Sequence, residues 1–529
     1  MSLADHISFD KVNIFYLDNS NVVVLSRNDK YMTILRRYFT KVVKNSQFME
    51  ARKSGNWDGK IRFLRNNGVL PRGLLQNCLD CLEEHNIKYE MDDRLNEEDL
   101  DISDFEDVIR KELIANQGEK KLEPWANQWS TAKKLLKSVR GVSRSATSSG
   151  KSFSITMISK YLLHKKIVKR VLLVVPRTDL VVQFYKDMEE YGVDRKDIGM
   201  YFGEVKEVGK PITIATWQSA QNIKDKKFFH DFECLIVDEC HNSNSGDKSS
   251  NKKRKTSGTQ VRQICDHCIN AKWRFGLTGT LPKDELEMMT LVGGIGPKVD
   301  EVTAKELMKE GRVTNVKITA TFIDYDKKVV RDKIKQYLLD DGFSEDTKLG
   351  DISPTAKFNA EKKFLENYIP RLRVISKITK SRMEHDENVL ILANTINFGE
   401  NIVKTLKFLL KGEYNEIYYI SGSMKTDKRK EIREKMENGT KIIVVATTSL
   451  FSTGISVKNL HNIIFGNIGK SEIIVLQAIG RTLRLHASKS LARVYDLCDN
   501  LPYSKKHAKE RLDYYANEEF DMSMLEVTI

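Results

Sequence analysis

The sequence predicts an α/β protein: two parallel-sheet lobes in tandem, preceded by a small α+β N-terminal domain. Beyond about residue 120, short apolar runs alternate with helical stretches. They are Val171–Val175, Ile212–Ala215, Cys234–Val237, Val389–Ala393, Ile442–Ala446 and Ile463–Phe465. Strands buried on both faces of a helix-covered parallel sheet look like this. A polar interval from Gly311 to Asn388 splits the runs into two sets, one per lobe. The first ~90 residues instead mix helical spacing with strand alternation. The division that follows is 1–91 for the N-terminal domain, 92–118 for an acidic linker, 119–315 for the first lobe, 316–369 for a connector and 370–529 for the second lobe. A chain of 529 residues is long enough for about three or four domains.

In the N-terminal domain, Tyr31 to Val43 and Gly73 to Lys88 read as helices. Asn56-Trp57-Asp58-Gly59 carries an Asp-Gly hairpin signal, and Ile61 and Phe63 alternate with Lys60 and Arg62 as a strand would. Trp57 among Arg52, Lys53, Lys60, Arg62 and Arg65 suits a nucleic-acid grip; a turn-packing tryptophan with ordinary surface charge is the competing reading. Asp92 to Asp107 holds nine acidic side chains in sixteen residues and reads as a solvated linker or helix face, favoured over a partner-binding acidic segment. Two CxxC pairs, Cys78/Cys81 and Cys265/Cys268, fall in amphipathic helical segments where i and i+3 share a face, so an ordinary core or surface helix is favoured over metal binding. Ser245 to Gly258, with Lys252-Lys253-Arg254-Lys255 at its centre, reads as a low-complexity loop, either near a nucleic-acid path or merely solvated.

Composition narrows the classes. Hydrophobic residues are 40% and charged residues 30%, which excludes wholesale disorder. Lys plus Arg is 87 against 73 for Asp plus Glu, a net charge of +14, and that excess favours a polyanionic partner such as nucleic acid. No apolar run approaches the ~18 residues that span a bilayer. The first residues, with Asp5, Asp10 and Lys11, lack a signal-peptide profile, so no membrane association and a cytoplasmic location are expected. Seven cysteines are too few, and odd in number, for a disulfide framework.

Three sites carry chemistry. Ala146-Thr147-Ser148-Ser149-Gly150-Lys151-Ser152 precedes a helical Phe153–Leu163. Gly-Lys-Ser opening a helix is a phosphate cradle, in which Thr147 to Ser152 surround the phosphates, Lys151 reaches the terminal ones and Ser152 can ligate Mg²⁺. The segment before it, Arg140 to Ser145, makes a poor buried strand. The second site is Asp238-Glu239-Cys240-His241 at the end of an apolar strand. Asp238 there can hold the Mg²⁺ of a nucleotide, Glu239 can act as general base on the attacking water, and His241 is a coupling residue. In the third, Gln477, Arg481 and Arg484 share a helical face at i, i+4 and i+7. Two guanidiniums on one face suit the triphosphate, as an arginine finger supplied within the same chain.

Taken in order, Gly150-Lys151-Ser152, Asp238-Glu239-Cys240-His241, Thr278-Gly279-Thr280 and Gln477 to Arg484 resemble a superfamily-two helicase of the DExH type, over roughly residues 120–500. The resemblance implies two RecA-like lobes that hydrolyse ATP with Mg²⁺ and grip nucleic acid without regard to sequence. It places Arg177, Thr178, Thr216, Trp217 and Thr453 along the nucleic-acid path, Gly454 and Gln128 at the nucleotide, and Thr278 and Thr280 in coupling. Trp125 and Gln128 occupy the place of an adenine-reading aromatic and glutamine. Ser148 and Ser456 depart from the family's usual Gly and Asp. Phe451 to His461, Ile474 to Arg484 and, outside the motor, Gly55 to Arg62 are similar to the recombination and repair helicases of large tailed phages. That narrower resemblance implies fork regression, junction migration and removal of RNA–DNA hybrids by a monomeric motor whose partner is branched or single-stranded DNA, with RNA in hybrids as a second substrate. Trp57 and Arg62 would then contact DNA. A double-stranded DNA translocase without strand separation and an RNA helicase stay open on the residues alone.

Overall fold

A computed structural model describes residues 9–96, 99–119, 121–241, 260–347, 350–410, 416–422, 424–448 and 457–529. Two compact units divide the chain: residues 1–145 with 149–302, and residues 146–148 with 303–529. The basic run 245–258 and the segment holding Thr453, Gly454 and Ser456 lie outside the described residues.

The first unit begins with β1 (Lys11–Tyr16), β2 (Asn21–Leu25), β3 (Thr40–Val42), β4 (Lys60–Arg62), β5 (Val69–Pro71) and β6 (Lys88–Met91). Four of these form a sheet in the order β5-β2-β1-β6, with β1 antiparallel to β2 and parallel to β6. Helices Asp29–Tyr38 and Leu75–Glu84 supply Leu35, Cys78, Cys81 and Leu82 to a core with Val12, Ile14 and Val24. Both cysteines of the first CxxC pair are thus buried on one helix face. The first helix stops at Tyr38 rather than Val43 because Thr40–Val42 leaves it to pair as β3 with β4. The Asp58-Gly59 turn does precede β4, but that strand's partner lies well upstream, so no two-residue hairpin forms.

This domain is fastened to the lobe that follows it. The Asn19 N–H donates to Ile269 O at 3.0 Å, and Arg140 donates to Asn19 O. Arg274 is fully buried; its guanidinium donates to the carbonyls of Ala271, Cys265, Gly294 and Cys268 and to Ser20 Oγ at 2.5 Å. Burying an arginine is tolerable only when its donors are satisfied in this way. Met289 of the lobe completes the domain's apolar core.

The lobe holds β7 (Arg140–Ser145), β8 (Val171–Val175), β9 (Ile198–Phe202), β10 (Val205–Lys206), β11 (Ile212–Thr216), β12 (Cys234–Asp238), β13 (Trp273–Thr278) and β14 (Lys298–Val302). Their order is β10-β9-β11-β8-β12-β13-β7-β14, with only the β9–β10 pair antiparallel. The predicted runs are β8, β11 and β12, buried along their whole length. Arg140–Ser145, judged a poor strand, is one after all. Its Ser143 and Arg144 side chains find distant partners: Asp300 Oδ2 accepts from Ser143 Oγ at 2.8 Å, as it does from Thr131 Oγ1 at 2.7 Å, and Arg144 pairs with Glu301. Of the two readings of the acidic segment, helix face rather than linker holds for its C-terminal part. Residues 105–112 form a helix whose Phe105, Val108 and Ile109 enter the lobe's core, with Phe105 edge-on to Trp129 and Tyr161.

The second unit contains β15 (Asn315–Asp324), β16 (Val389–Ala393), β17 (Ile417–Ile420), β18 (Ile443–Thr447), β19 (Asn462–Phe465), β20 (Leu491–Asp499) and β21 (Asp521–Thr528), all parallel, in the order β17-β18-β16-β19-β20-β15-β21. The expected connector 316–369 is part of this lobe. β15 lies in its sheet, and helices Lys327–Asp340 and Pro354–Asn367 share a small core around Leu338, Ile352 and Ala360. β15 escaped notice because Val316 and Ile318 alternate with exposed Asn315 and Lys317, rather than forming a continuous apolar run. Among the described residues, no helix is long and apolar enough to cross a membrane.

Candidate nucleotide site and its neighbours

The cradle lies in the chain between β7 and the helix Lys151–His164. Gly150 sits at φ +77°, and a Cβ there would stand 1.9 Å from Gln128 Nε2, so only glycine fits. Ser148 also takes a left-handed φ of +70°, which explains why glycine is usual at that position. Gln128 is buried. Its amide lies 3.4 Å from Ser149 O and 3.3 Å from Gly150 O, and its carbonyl accepts from Trp125 N, so in this structure it braces the loop.

Lys151 Nζ stands 3.4 Å from Ser145 O and 3.6 Å from Glu239 Oε1. β12 ends at Asp238, and the chain turns sharply through Glu239 at φ +49°. Burial pushes the Asp238 carboxyl up to about 7, the neighbouring Glu239 charge adding to the rise and Lys151 opposing it. Glu239 is held below the usual carboxylate range: burial opposes its charge, but the Lys151 ammonium and His241 outweigh it.

His241 Nδ1 lies 2.5 Å from Thr278 Oγ1. That hydroxyl donates to Thr280 O at 2.8 Å and accepts from Thr280 N at 3.2 Å. With the hydroxyl proton so used, Nδ1 is the donor in that pair; it also stands 3.2 Å from Glu239 Oε2. His241 Nε2, Asp238 Oδ1, Ser149 Oγ and Thr280 Oγ1 are all buried and have no hydrogen-bond partner among the described residues. Such a cluster of unmet polar groups beside Lys151 fits a bound nucleotide and its cation. Asp238 offers a free carboxylate oxygen for the cation; the Ser152 hydroxyl lies 3.0 Å from the Tyr191 phenol. Tyr191, stacked on Phe153 with centroids 4.2 Å apart, is a neighbour of the site that no motif announced.

The other expected contacts fare unevenly. Arg177 forks onto Asp179 at 3.1 and 3.0 Å, and Thr178 is exposed at a helix start. Thr216 Oγ1 caps the short helix after β11 by accepting from Ser219 N. Trp217 is 7% exposed and packs in the lobe's core. Trp57 is half-buried and donates through Nε1 to Lys60 O at 2.9 Å, while Arg62 pairs with Asp58. Trp57 thus bonds within its own turn while part of its ring stays open to solvent.

In the second unit, Gln477 and Arg481 share a face of the helix Glu472–Thr482, as the spacing requires. Arg484 does not belong to that face, because the helix ends at Thr482 and Arg484 lies in the bend beyond it.

Three family models match this chain: "DNA helicase UvsW, N-terminal" over residues 11–92, "Type III restriction enzyme, res subunit" over 116–283 and "Helicase conserved C-terminal domain" over 370–486. The ATP-dependent DNA helicase uvsW of Enterobacteria phage T4 is 30% identical over 525 residues, covering 94% of this chain and 95% of that one. The crystal structure of T4 UvsW is 27% identical, covering 98% of this chain and 99% of that one, with a TM-score of 0.49. The DNA-bound Type ISP restriction-modification enzyme LlaBIII shares the fold at 14% identity, covering 84% of this chain and 34% of that one, with a TM-score of 0.54. Fold and motifs together define an ATP-hydrolysing, nucleic-acid-binding helicase of superfamily two, with two RecA-like lobes. Within that class, the chain belongs to the UvsW family of ATP-dependent DNA helicases.

Proposed function

We propose that this helicase spends ATP on branched DNA, regressing forks, migrating four-way junctions and clearing RNA–DNA hybrids. The observation that carries the proposal is the N-terminal domain, which matches the UvsW N-terminal model and is bolted to the first lobe through Arg274, Arg140 and Asn19. Any DNA contact it makes therefore moves with the ATP-binding lobe.

Chemically, the cradle from Thr147 to Ser152 binds the phosphates, with Lys151 neutralising their charge. Glu239, ionised at neutral pH, orients the attacking water and accepts its proton. Arg481 and Arg484 counter the charge that develops in the transition state, in the manner of an arginine finger. Ser152 and Asp238 would hold Mg²⁺, which when bound withdraws charge from the phosphates. His241, Thr278 and Thr280 form a hydrogen-bonded relay from the β12 end to the β13 end, suited to report the state of the nucleotide to the coupling motif.

The test is phosphate release titrated with single-stranded, duplex, forked and four-way DNA and with an RNA–DNA hybrid. Stimulation should be strongest for the branched substrates and fall steeply with added salt, because the grip is on phosphates. Equal stimulation by linear duplex and junction would refute the branched-DNA assignment.

A further inference from the structure

Three successive carbonyls carry the chain out of the helix Glu472–Thr482, at Thr482, Leu483 and Arg484. Each is bonded by a residue outside the motifs. The Lys489 ammonium donates to Thr482 O at 2.6 Å. Thr314 donates its backbone N–H to Leu483 O at 2.7 Å and its hydroxyl to Arg484 O at 3.2 Å. Helix-terminal carbonyls ordinarily face water, and a cation there is favoured by the helix dipole. Here the two donors are 6% and 3% exposed.

Lys489 does more than cap. Its other two protons go to Lys458 O at 2.9 Å and Leu460 O at 3.1 Å, so all three N–H groups are used. One ammonium thus ties the arginine-bearing turn to the segment that leads into β19. The anchors are rigid for a reason visible in the sheet: Thr314 immediately precedes β15 and Lys489 lies two residues before β20, and these strands pair with Asn315 opposite Leu491.

We propose that Lys489 and Thr314 are positioning residues that fix the backbone of the Thr482–Arg484 turn and thereby the aim of Arg481 and Arg484. This rests on the reading of those arginines as phosphate-facing groups.

A titration follows from the same geometry. Burial lowers the Lys489 ammonium to about 8, with Glu437 opposing and Arg484 adding to the fall. The other charged or titratable groups around it are the exposed Lys458, and His461 and His486, which meet at Ser488 Oγ. A neutral amine has two N–H groups, so one of the three carbonyls loses its donor above that pH.

The experiment measures steady-state ATP hydrolysis at saturating DNA for wild type and for Lys489→Met, Lys489→Arg, Thr314→Val and Arg481→Ala, with a melting curve for each. Lys489→Met should lower kcat on the order of tenfold to a hundredfold, because small displacements of a catalytic group act on turnover, while KM for ATP hardly moves. Thr314→Val, which removes only the Arg484 carbonyl bond, should lower kcat less. Wild-type kcat should decline as pH rises through about 8, and Lys489→Arg should keep its plateau to higher pH. Should Lys489→Met not fold, Thr314→Val and the pH profile of Lys489→Arg decide alone. Folded Lys489 and Thr314 variants with wild-type kcat and pH profile, beside an Arg481→Ala that has lost turnover, would overturn the positioning role and leave the arginine reading intact. An Arg481→Ala with full turnover would overturn both.

Discussion

Replacing Gly73 by alanine adds a methyl carbon 1.9 Å from Val292 O and 3.0 Å from Gly293 O, across the junction between the N-terminal domain and the first lobe. Gly73 has no left-handed φ, so the local backbone accepts alanine and even gains by about 0.4–1 kcal/mol through the unfolded chain. The obstacle is the facing backbone, which cannot rotate away like a side chain. An ordinary carbon–oxygen approach is ~3.3 Å, so the two segments must part by roughly 1.4 Å. The 3.0 Å bond from Asn19 N to Ile269 O and the 2.5 Å bond from Arg274 to Ser20 lie across the same junction and would be stretched beyond useful length. Overpacking of this kind costs about 1–3 kcal/mol, which corresponds to roughly 5- to 150-fold in an opening equilibrium. Hydrogen exchange reads it directly. The Asn19 amide should lose protection by that factor, while amides in the helix Leu75–Glu84 lose much less, since each body keeps its own core. A variant whose Asn19 exchange and melting curve match wild type would refute the idea that this junction is close-packed.

Further outcomes follow from individual contacts. His241→Ala removes the donor to Thr278 while leaving Lys151, Asp238 and Glu239; ATP turnover should persist in part while strand separation fails, and loss or retention of both together would contradict a coupling role. Asp300→Ala leaves Thr131 and Ser143 without their buried acceptor and should destabilise the chain by about 2–3 kcal/mol, the half-exposed Lys134 adding little; an unchanged melting temperature would show that β7 does not depend on this network. Asp92 is held down to about 2, chiefly by the hydrogen bond from Arg94 and also by the backbone N–H of Arg94 and Tyr16. Its folded value lies below its unfolded one, so its stabilisation is present above about pH 4 and is lost as pH falls toward 2. Asp92→Asn should flatten that acid-side loss in the N-terminal domain, as followed by exchange at Tyr16.

The sheets were legible wherever burial on both faces forces an apolar run: β8, β11, β12, β16, β18 and β19 sit within a residue of where the sequence put them. β7 was not, because its Ser143 and Arg144 are satisfied by Asp300 and Glu301, more than 150 residues away, and no local pattern reports a distant acceptor. β15 was missed, and the helix 105–112 was only half legible, for a related reason: each has one apolar face, diluted in sequence by charged neighbours. At the site, motif spacing placed Lys151, Asp238, Glu239, His241 and Thr278 together, since strand ends and a helix start bring them to one edge of the sheet. Spacing misplaced Arg484 on the helix face, because helical periodicity does not announce where a helix stops. Lys489 and Thr314 carry no motif at all; only the carbonyls they meet reveal them.

The most direct measurement is phosphate release by wild type and by Glu239→Gln, each with and without DNA, alongside nucleotide binding. The carboxylate beside Lys151 is the group assigned to the attacking water. The expected result is DNA-stimulated release in the wild type, and release lowered by at least about a hundredfold in the variant with nucleotide affinity retained. Wild-type release from Glu239→Gln would contradict the assignment of this cluster as the hydrolytic centre.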